Sequence, residues 1–283
     1  MNFLTPGEIA VAAANAGKGK TDLPIFKMFI LGMLAGAYIG FGANLATKIG
    51  SMDQAATAGG QFLFGAVFSV GLMLVVIAGS ELFTGNAMAC FISACNSQAG
   101  WGGLVVNWVV VWIANFVGSL LLVYIVYQGG FWVDHTSVAT AGISAMGLKA
   151  LTIAKGKLTL TWMQAFMRGI LCNWLVCLAV WMAFAAKDVV GKIFAIFFPI
   201  MAFVSSGFEH SVANMFFIPM GIAIAHGAAE SVGTALKMDP TALLTLFSYK
   251  TLIMANLIPV TLGNIVGGSF FVGFVYYVVY LRK

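Results

Sequence analysis

Apolar residues run in six long stretches, near residues 26–47, 60–80, 104–127, 162–186, 193–227 and 250–280, with polar residues concentrated between them. About 20 apolar residues suffice to cross a bilayer as a helix, so the pattern predicts six transmembrane helices. Two stretches are interrupted. In the second, Gly79-Ser80-Glu81-Leu82-Phe83-Thr84-Gly85-Asn86 intervenes before the chain returns to Met88-Ala89-Cys90-Phe91-Ile92. In the fifth, Ser205-Ser206-Gly207-Phe208-Glu209-His210-Ser211 separates two apolar halves, each too short to span alone. An ionisable side chain at bilayer depth costs at least ~2–3 kcal/mol, so Glu209 and His210 are expected to face a cavity, a partner or a substrate path. Polar, glycine-containing breaks of this kind mark discontinuous helices, which in transport proteins often form the substrate site.

The breaks belong to an internal repeat. The first three stretches carry Gly40-x-x-x-Asn44, then Gly79-x-Glu81, then Asn115-x-Val117-Gly118-Ser119. The last three carry Gly169-x-x-x-Asn173, then Gly207-x-Glu209, then Asn264-x-Val266-Gly267 with Ser269 close behind. Three crossings leave the chain on the opposite face of the membrane, so a repeated three-span unit must be inverted. Inverted repeats with a broken helix in each half place a pathway at their interface near the midplane. The fold class expected is an all-α polytopic membrane protein, six transmembrane helices as an inverted 3+3 repeat with helices 2 and 5 broken. Ahead of it, Thr5-Pro6-Gly7-Glu8 reads as a helix start with a capping box. The helix runs through about Gly17 with Ile9, Ala12, Ala13 and Ala16 on one face, followed by a linker from Lys18 to Asp22. Two units are expected: residues 1–24 as a cytoplasmic N-terminal amphipathic helix and linker, and residues 25–283 as the six-helix transmembrane domain.

Composition agrees with the pattern: 61% of the 283 residues are hydrophobic and 8% charged, against about a quarter charged in soluble domains. The net charge of +5 comes from scattered residues that form no basic patch, so no nucleic-acid partner is expected. The start lacks a basic n-region and a sufficiently apolar core for a cleavable signal peptide. With the N-terminus inside, the cytoplasmic segments hold Lys18, Lys20, Lys27, Lys187, Lys192, Arg282 and Lys283. The outer segments hold Lys48, Lys149, Lys155, Lys157, Lys237 and Lys250, so the positive-inside rule barely favours that orientation. Cys90 with Cys95, and Cys172 with Cys177, match no standard metal spacing and read as packing residues. No metal and no cofactor are expected.

Among chemistry-bearing residues, His210 is the one histidine deep in a predicted span; His135 lies between spans three and four, and His226 at the end of the fifth. A histidine at a helix break could lend an anion a hydrogen bond, or exchange a proton with a weak acid. The competing reading is a neutral ring bonded across helices. Glu81 and Glu209 sit where unpaired backbone N–H groups need acceptors, which favours loop bracing over direct contact with a permeant. Thr84 reads equally as a substrate donor and as a cap. Asn173 and Asn264 read as interhelical glue or pore donors, and Lys157 as a loop lysine or a vestibule cation that attracts anions. Gly32, Gly36 and Gly40 form a stripe for close helix packing. A haem enzyme would need paired ligands, and a hydrolase a nucleophile placed against its base; neither is evident.

Several stretches carry a resemblance that covers essentially the whole chain. Arg168-Gly169-Ile170-Leu171-Cys172-Asn173-Trp174-Leu175-Val176-Cys177-Leu178-Ala179-Val180-Trp181, Ser206-Gly207-Phe208-Glu209-His210-Ser211-Val212-Ala213-Asn214-Met215, Glu81-Leu82-Phe83-Thr84-Gly85-Asn86 and Thr261-Leu262-Gly263-Asn264 are similar to the formate/nitrite transporter family. The resemblance implies a homopentamer of aquaporin-like protomers, each with its own pore, in the bacterial cytoplasmic (inner) membrane, with both termini cytoplasmic. It implies that His210 is the central pore histidine and Thr84 the threonine of the loop breaking helix two. By the same match, Leu82, Phe83, Val176 and Ala213 form a cytoplasmic-side constriction, and Phe68, Leu72 and Phe203 an apolar lining nearer the periplasm. Asn173 and Asn264 become pore-associated polar residues and Lys157 the periplasmic lysine. Phe68-x-x-Gly71-Leu72 and the Phe203-to-His210 segment look closest to formate channels. The implied function is transport of a small monovalent anion, formate foremost, with nitrite, hydrosulfide, acetate and lactate as alternatives and protons as partners.

Overall fold

The computed structural model describes residues 3–52, 57–134, 136 and 142–282. Residues 1–2, His135 and Lys283, which figure in the sequence reading, lie outside the described residues. The described chain is helical. Its only extended pairings are two isolated bridges, Phe3 with Ala186 and Val133 with Ile143.

The helices are α1 (Pro6–Thr21), α2 (Ile25–Ile49), α3 (Ala58–Gly79), α4 (Phe83–Cys95), α5 (Trp101–Gln128) and α6 (Ala145–Leu158). They continue as α7 (Trp162–Ala185), α8 (Val189–Ser205), α9 (Ser211–Gly227), α10 (Ala229–Leu236), α11 (Pro240–Leu246) and α12 over residues 249–280. Among these, α2, α3, α5, α7 and the α11–α12 run are long and apolar enough to cross a membrane. The fifth span is broken as expected, into two 17-residue helices, α8 and α9, with the break at Ser206–His210 between them. The second span is broken at Ser80–Leu82, where α3 ends in a π-helical turn, Leu74–Gly79. Gly79 (φ 87°) and Gly207 (φ 72°) take the left-handed conformation that turns the chain at each break, a backbone region open to glycine at no steric cost.

Two glycine-lined crossings hold the bundle together. Helix α2 crosses α5 where a Cβ on Gly36 would strike the Asn115 carbonyl and one on Gly118 would strike the Met33 carbonyl. Helix α7 crosses α12 where a Cβ on Gly263 would meet the Phe166 carbonyl and one on Gly267 the Ile170 carbonyl. Only residues without a side chain let backbones approach so closely.

The structure departs from the sequence reading at the ends of the bundle. Helix α1 continues to Thr21, through the expected linker, and it is docked rather than lying on the surface. Ile9, Ala10, Ala13, Ala14 and Gly17 are buried, with Gly17 against the Ala89 carbonyl of α4. The apolar pattern carries no sign of this docking, because alanine and glycine bury little area and leave the docked face barely apolar. The α6 segment, read as loop, is a helix capped by Ser144, whose hydroxyl accepts from the Gly147 N–H at 3.1 Å. It closes the opposite end of the bundle from α1. Each half of the molecule is thus one short helix followed by its spans.

Candidate functional site

The two breaks are clamped by equivalent asparagines. Asn115 accepts from the Phe83 N–H (3.0 Å) and donates to the carbonyls of Glu81 (2.9 Å) and Gly32 (2.8 Å). Asn264 accepts from the Ser211 N–H (2.9 Å) and donates to the carbonyls of Glu209 (3.0 Å) and Gly169 (2.8 Å). Unpaired backbone groups of a broken helix must find partners inside the membrane, and one carboxamide satisfies three at each site. These bonds also set the register of the repeat. Gly32, not Gly40, corresponds to Gly169; the Gly-x-x-x-Asn match of the sequence was two helical turns out of step.

Around each clamp lies the same ion-pair network. Glu81 accepts from Lys20 (2.9 Å) and Asn86 (2.7 Å); Asn86 also donates to Asn107 (3.0 Å), which donates to the Lys20 carbonyl (3.1 Å). Glu209 accepts from Lys157 (2.9 Å) and Asn214 (2.6 Å); Asn214 donates to Asn256 (2.7 Å), which donates to the Lys157 carbonyl (3.1 Å). Lys20, Asn86, Asn107, Asn214 and Asn256 were not singled out from the sequence. Their signal was present in two equal spacings: Glu81 to Asn86 matches Glu209 to Asn214, and Asn107 to Asn115 matches Asn256 to Asn264. The charge of Lys157 is therefore matched by a carboxylate, and the lysine itself packs over Phe217, with Nζ 5.5 Å from the ring centroid.

The symmetry fails just after the breaks, where Leu82-Phe83-Thr84 stands opposite His210-Ser211-Val212, and first of all at one pair of positions. Each is the N-cap of the helix after its break: Leu82 for α4 and His210 for α9. The His210 Nδ1 accepts from the Ala213 N–H at 3.0 Å, so in the neutral ring the hydrogen sits on Nε2. That nitrogen lies 3.0 Å from Thr84 Oγ1, with both residues buried. Thr84 is fixed in turn through its carbonyl, which accepts from Asn173 (3.1 Å) and the Cys177 thiol (3.4 Å), while Asn173 also donates to the Asn264 carbonyl (2.6 Å). His210, Thr84, Asn173 and Asn264 therefore form one connected group between the two breaks.

A cavity opens on either side of this group. The first, about 540 Å³, lies on the α1 side and is lined by Lys20, Glu81, Leu82, Leu72 and Lys192 among others. The second, about 410 Å³, lies on the α6 side and is lined by Phe68, Phe203, His210, Ala213, Lys157 and Lys149 among others. Phe68 meets Phe203 edge-on at 5.8 Å, and Phe203 stacks on the His210 ring at 5.9 Å.

The expected apolar groupings are rearranged in the structure. Ala213 lines the α6-side cavity with Phe68 and Phe203 rather than grouping with Leu82, because it sits one turn into α9 beside His210. Leu72, expected with Phe68, lines the α1-side cavity with Leu82. Phe83 turns away from both cavities, packing edge-on against Trp108 at 6.4 Å in a groove on the flank of the bundle. Val176 is buried in α7 and lines neither cavity.

Comparison with known proteins gives a consistent result. The formate/nitrite transporter family matches residues 7–278. The chain is 44% identical to a probable formate transporter of Methanothermobacter thermautotrophicus, over 100% of this chain and 99% of the relative. It is 37% identical to the formate channel FocA of Escherichia coli (strain K12), over 100% and 96%. Among solved structures, a pentameric formate channel with formate bound superposes with a TM-score of 0.77 at 39% identity, covering 91% of this chain and 98% of that one.

Proposed function

We propose, from the premise that the chain belongs to the formate/nitrite transporter family, that it passes formate through a pore in each protomer of a homopentamer. It is a channel or transporter, as its relatives are, and not an enzyme. The observation that carries the formate reading is the His210–Thr84 pair, buried between two cavities at the meeting of the two helix breaks.

An anion that reaches this layer must shed water, and apolar narrows such as Phe68 with Phe203 block hydrated or larger species. The neutral His210 ring offers a hydrogen bond at Nε2. A carboxylate can take this bond in place of Thr84 Oγ1 and accept from the threonine hydroxyl, whose own hydrogen the ring does not use, at its second oxygen. Formate has two such oxygens and no bulk beyond them. The positive end of α9, which begins at Ser211, adds a favourable dipole for negative charge. A second proton on the ring would sit on Nδ1 and displace the Ala213 N–H, so the anion crosses with a proton in effect only where that cap opens.

Residues 1–24 belong to the cytoplasmic side in this reading and residues 25–283 form the channel of six spans in the bacterial inner membrane, with both termini cytoplasmic. The α1-side cavity is then the cytoplasmic vestibule and the α6-side cavity the periplasmic one. Leu82 and Leu72 guard the first, while Phe68, Phe203 and Ala213 guard the second. Asn173 and Asn264 hold the pore wall, and Glu81 and Glu209 brace the breaks.

The test is liposome flux of formate, nitrite and hydrosulfide side by side across a pH series, for the wild type, His210→Ala and His210→Phe. Formate flux whose size and pH dependence change in both variants supports the reading. Unchanged flux and pH dependence would remove the histidine from the mechanism, and a preference for nitrite or hydrosulfide would reassign the permeant within the family.

A further inference from the structure

In each vestibule the network lysine is paired with a glutamate, so the pair adds little net charge to draw an anion. Each cavity nevertheless contains one more lysine. On the α6 side it is Lys149, and on the α1 side Lys192. Among the described residues, neither has a carboxylate within ion-pair distance.

Lys149 is held in place by the fold. Its Nζ lies 5.7 Å from the centroid of the Phe64 ring, a cation–π contact. Phe64 stacks on Phe217 at 6.4 Å, and Phe217 stacks on Phe68 at 6.2 Å, so the lysine sits at the head of an aromatic row leading down to the Phe68–Phe203 narrow. Gly50, at the end of α2, makes the room: a Cβ there would come within 2.8 Å of both Lys149 Cε and the Phe64 ring. Partial burial pushes the ammonium pKa below its usual 10.5, as befits a cation with reduced hydration. The remaining cation of this mouth, Arg168, is exposed and screened by solvent, and its backbone carbonyl accepts from the Glu209 N–H.

We propose that Lys149 collects small monovalent anions at the α6-side mouth and that Lys192 does so at the α1-side mouth, an assignment that rests on the anion-pore reading above. The role is capture. A fixed, unpaired positive charge in a cavity with low-dielectric walls raises the local anion concentration, and the effect fades when salt shortens the Debye length. Selection and desolvation stay with the buried layer around His210.

The experiment is initial formate uptake into proteoliposomes of known orientation, at low ionic strength and at about 1 M of a salt with a bulky, impermeant anion. Lys149→Gln is expected to lower uptake about threefold at low salt when formate is offered from the α6 side, the size that one unit charge acting over about 6 Å of water would give. The deficit should vanish at about 1 M salt, where the Debye length is ~3 Å. Uptake from the α1 side by the same variant should be near normal, which also shows that the protein is folded. Lys149→Arg should keep the wild-type rate, and Lys192→Gln should show the mirror-image deficit. Wild-type uptake by Lys149→Gln at low salt, or a deficit that persists unchanged at high salt, overturns the assignment. Absence of formate flux in the wild type overturns the pore reading beneath it instead.

Discussion

One ring nitrogen of His210 holds the first turn of α9 and the other faces Thr84, so the residue is cap and hydrogen-bond donor at once. The equivalent cap on α4 is Leu82, which can do neither. The clamps and ion-pair networks of the two halves are alike down to single amide bonds, while His210 and Thr84, which stand opposite Leu82 and Val212, leave a polar pair where apolar side chains would seal the layer. Beside it, the Lys157 and Glu209 side chains are 16% and 4% exposed. Removing one member of a buried pair strands the other, at a cost of about 3–5 kcal/mol. Lys157→Met should therefore lower the unfolding midpoint in detergent sharply. Adding Glu209→Gln to it should restore part of the loss, since the amide needs no countercharge. Additive losses in the double variant would show that the two charges are not coupled. Lys20 with Glu81 should behave alike but more weakly, being 23% and 8% exposed.

Helix α1 is attached to the bundle by a small apolar face, Ile9, Ala10, Ala13 and Ala14 against Met88, Ile92, Trp181 and Val272, together with an ion pair and one close backbone approach. Lys20 at its end reaches Glu81 in the first break, and Gly17 lies against the Ala89 carbonyl. Gly17→Val cannot fit there, so α1 is expected to lift away while the spans stay folded. Amide hydrogen exchange should then rise over residues 6–21 and remain slow in α2 and α5; unchanged protection of α1 would refute the docking argument. The start of α1 has its own pH dependence. The Glu8 carboxyl is held below its ordinary 4.5 chiefly by the hydrogen bond from the Thr5 N–H, and next by the Thr5 hydroxyl. A depressed carboxylate stabilises the fold above its unfolded value, and the contribution is lost as pH falls through the folded one. Protection of the first turn of α1, taken relative to intrinsic exchange at each pH, should therefore fall below about pH 4.5, and Glu8→Gln should remove that step. The Thr5-Pro6-Gly7-Glu8 start was legible in the sequence because a capping box is local chemistry. The docking of α1 was not legible, because an alanine–glycine face carries little periodic signal; α6 was obscured by its lysines and glycines, although Met146, Ala150, Leu151, Ala154 and Leu158 recur at helical spacing.

At the scale of the whole molecule, the spans, both breaks and the inverted repeat could be read from apolar run lengths and from Gly79-x-Glu81 against Gly207-x-Glu209. The networks that join Lys20 to Asn107 and Lys157 to Asn256 could not, since each draws on three or more separate segments and no single stretch contains the pattern. The same holds for the direction of Phe83, which only the packing of α4 against Trp108 decides. Residues of one chain line both cavities and supply the His210–Thr84 pair, as a pore in each protomer requires. The large apolar side chains exposed along α5 and α12, such as Val105, Val109, Ile113, Ile258, Leu262 and Phe270, remain to be covered by lipid or by neighbouring protomers. In a homopentamer with five independent pores, mixing wild-type and His210→Phe chains should give formate flux that falls in direct proportion to the wild-type fraction. A pathway shared along the fivefold axis would fail whenever any one chain was altered, and flux would fall with about the fifth power of that fraction. Co-reconstitution at several chain ratios, with subunit composition counted in each sample, separates the two: a straight line supports one pore per chain, and a steep curve rejects it.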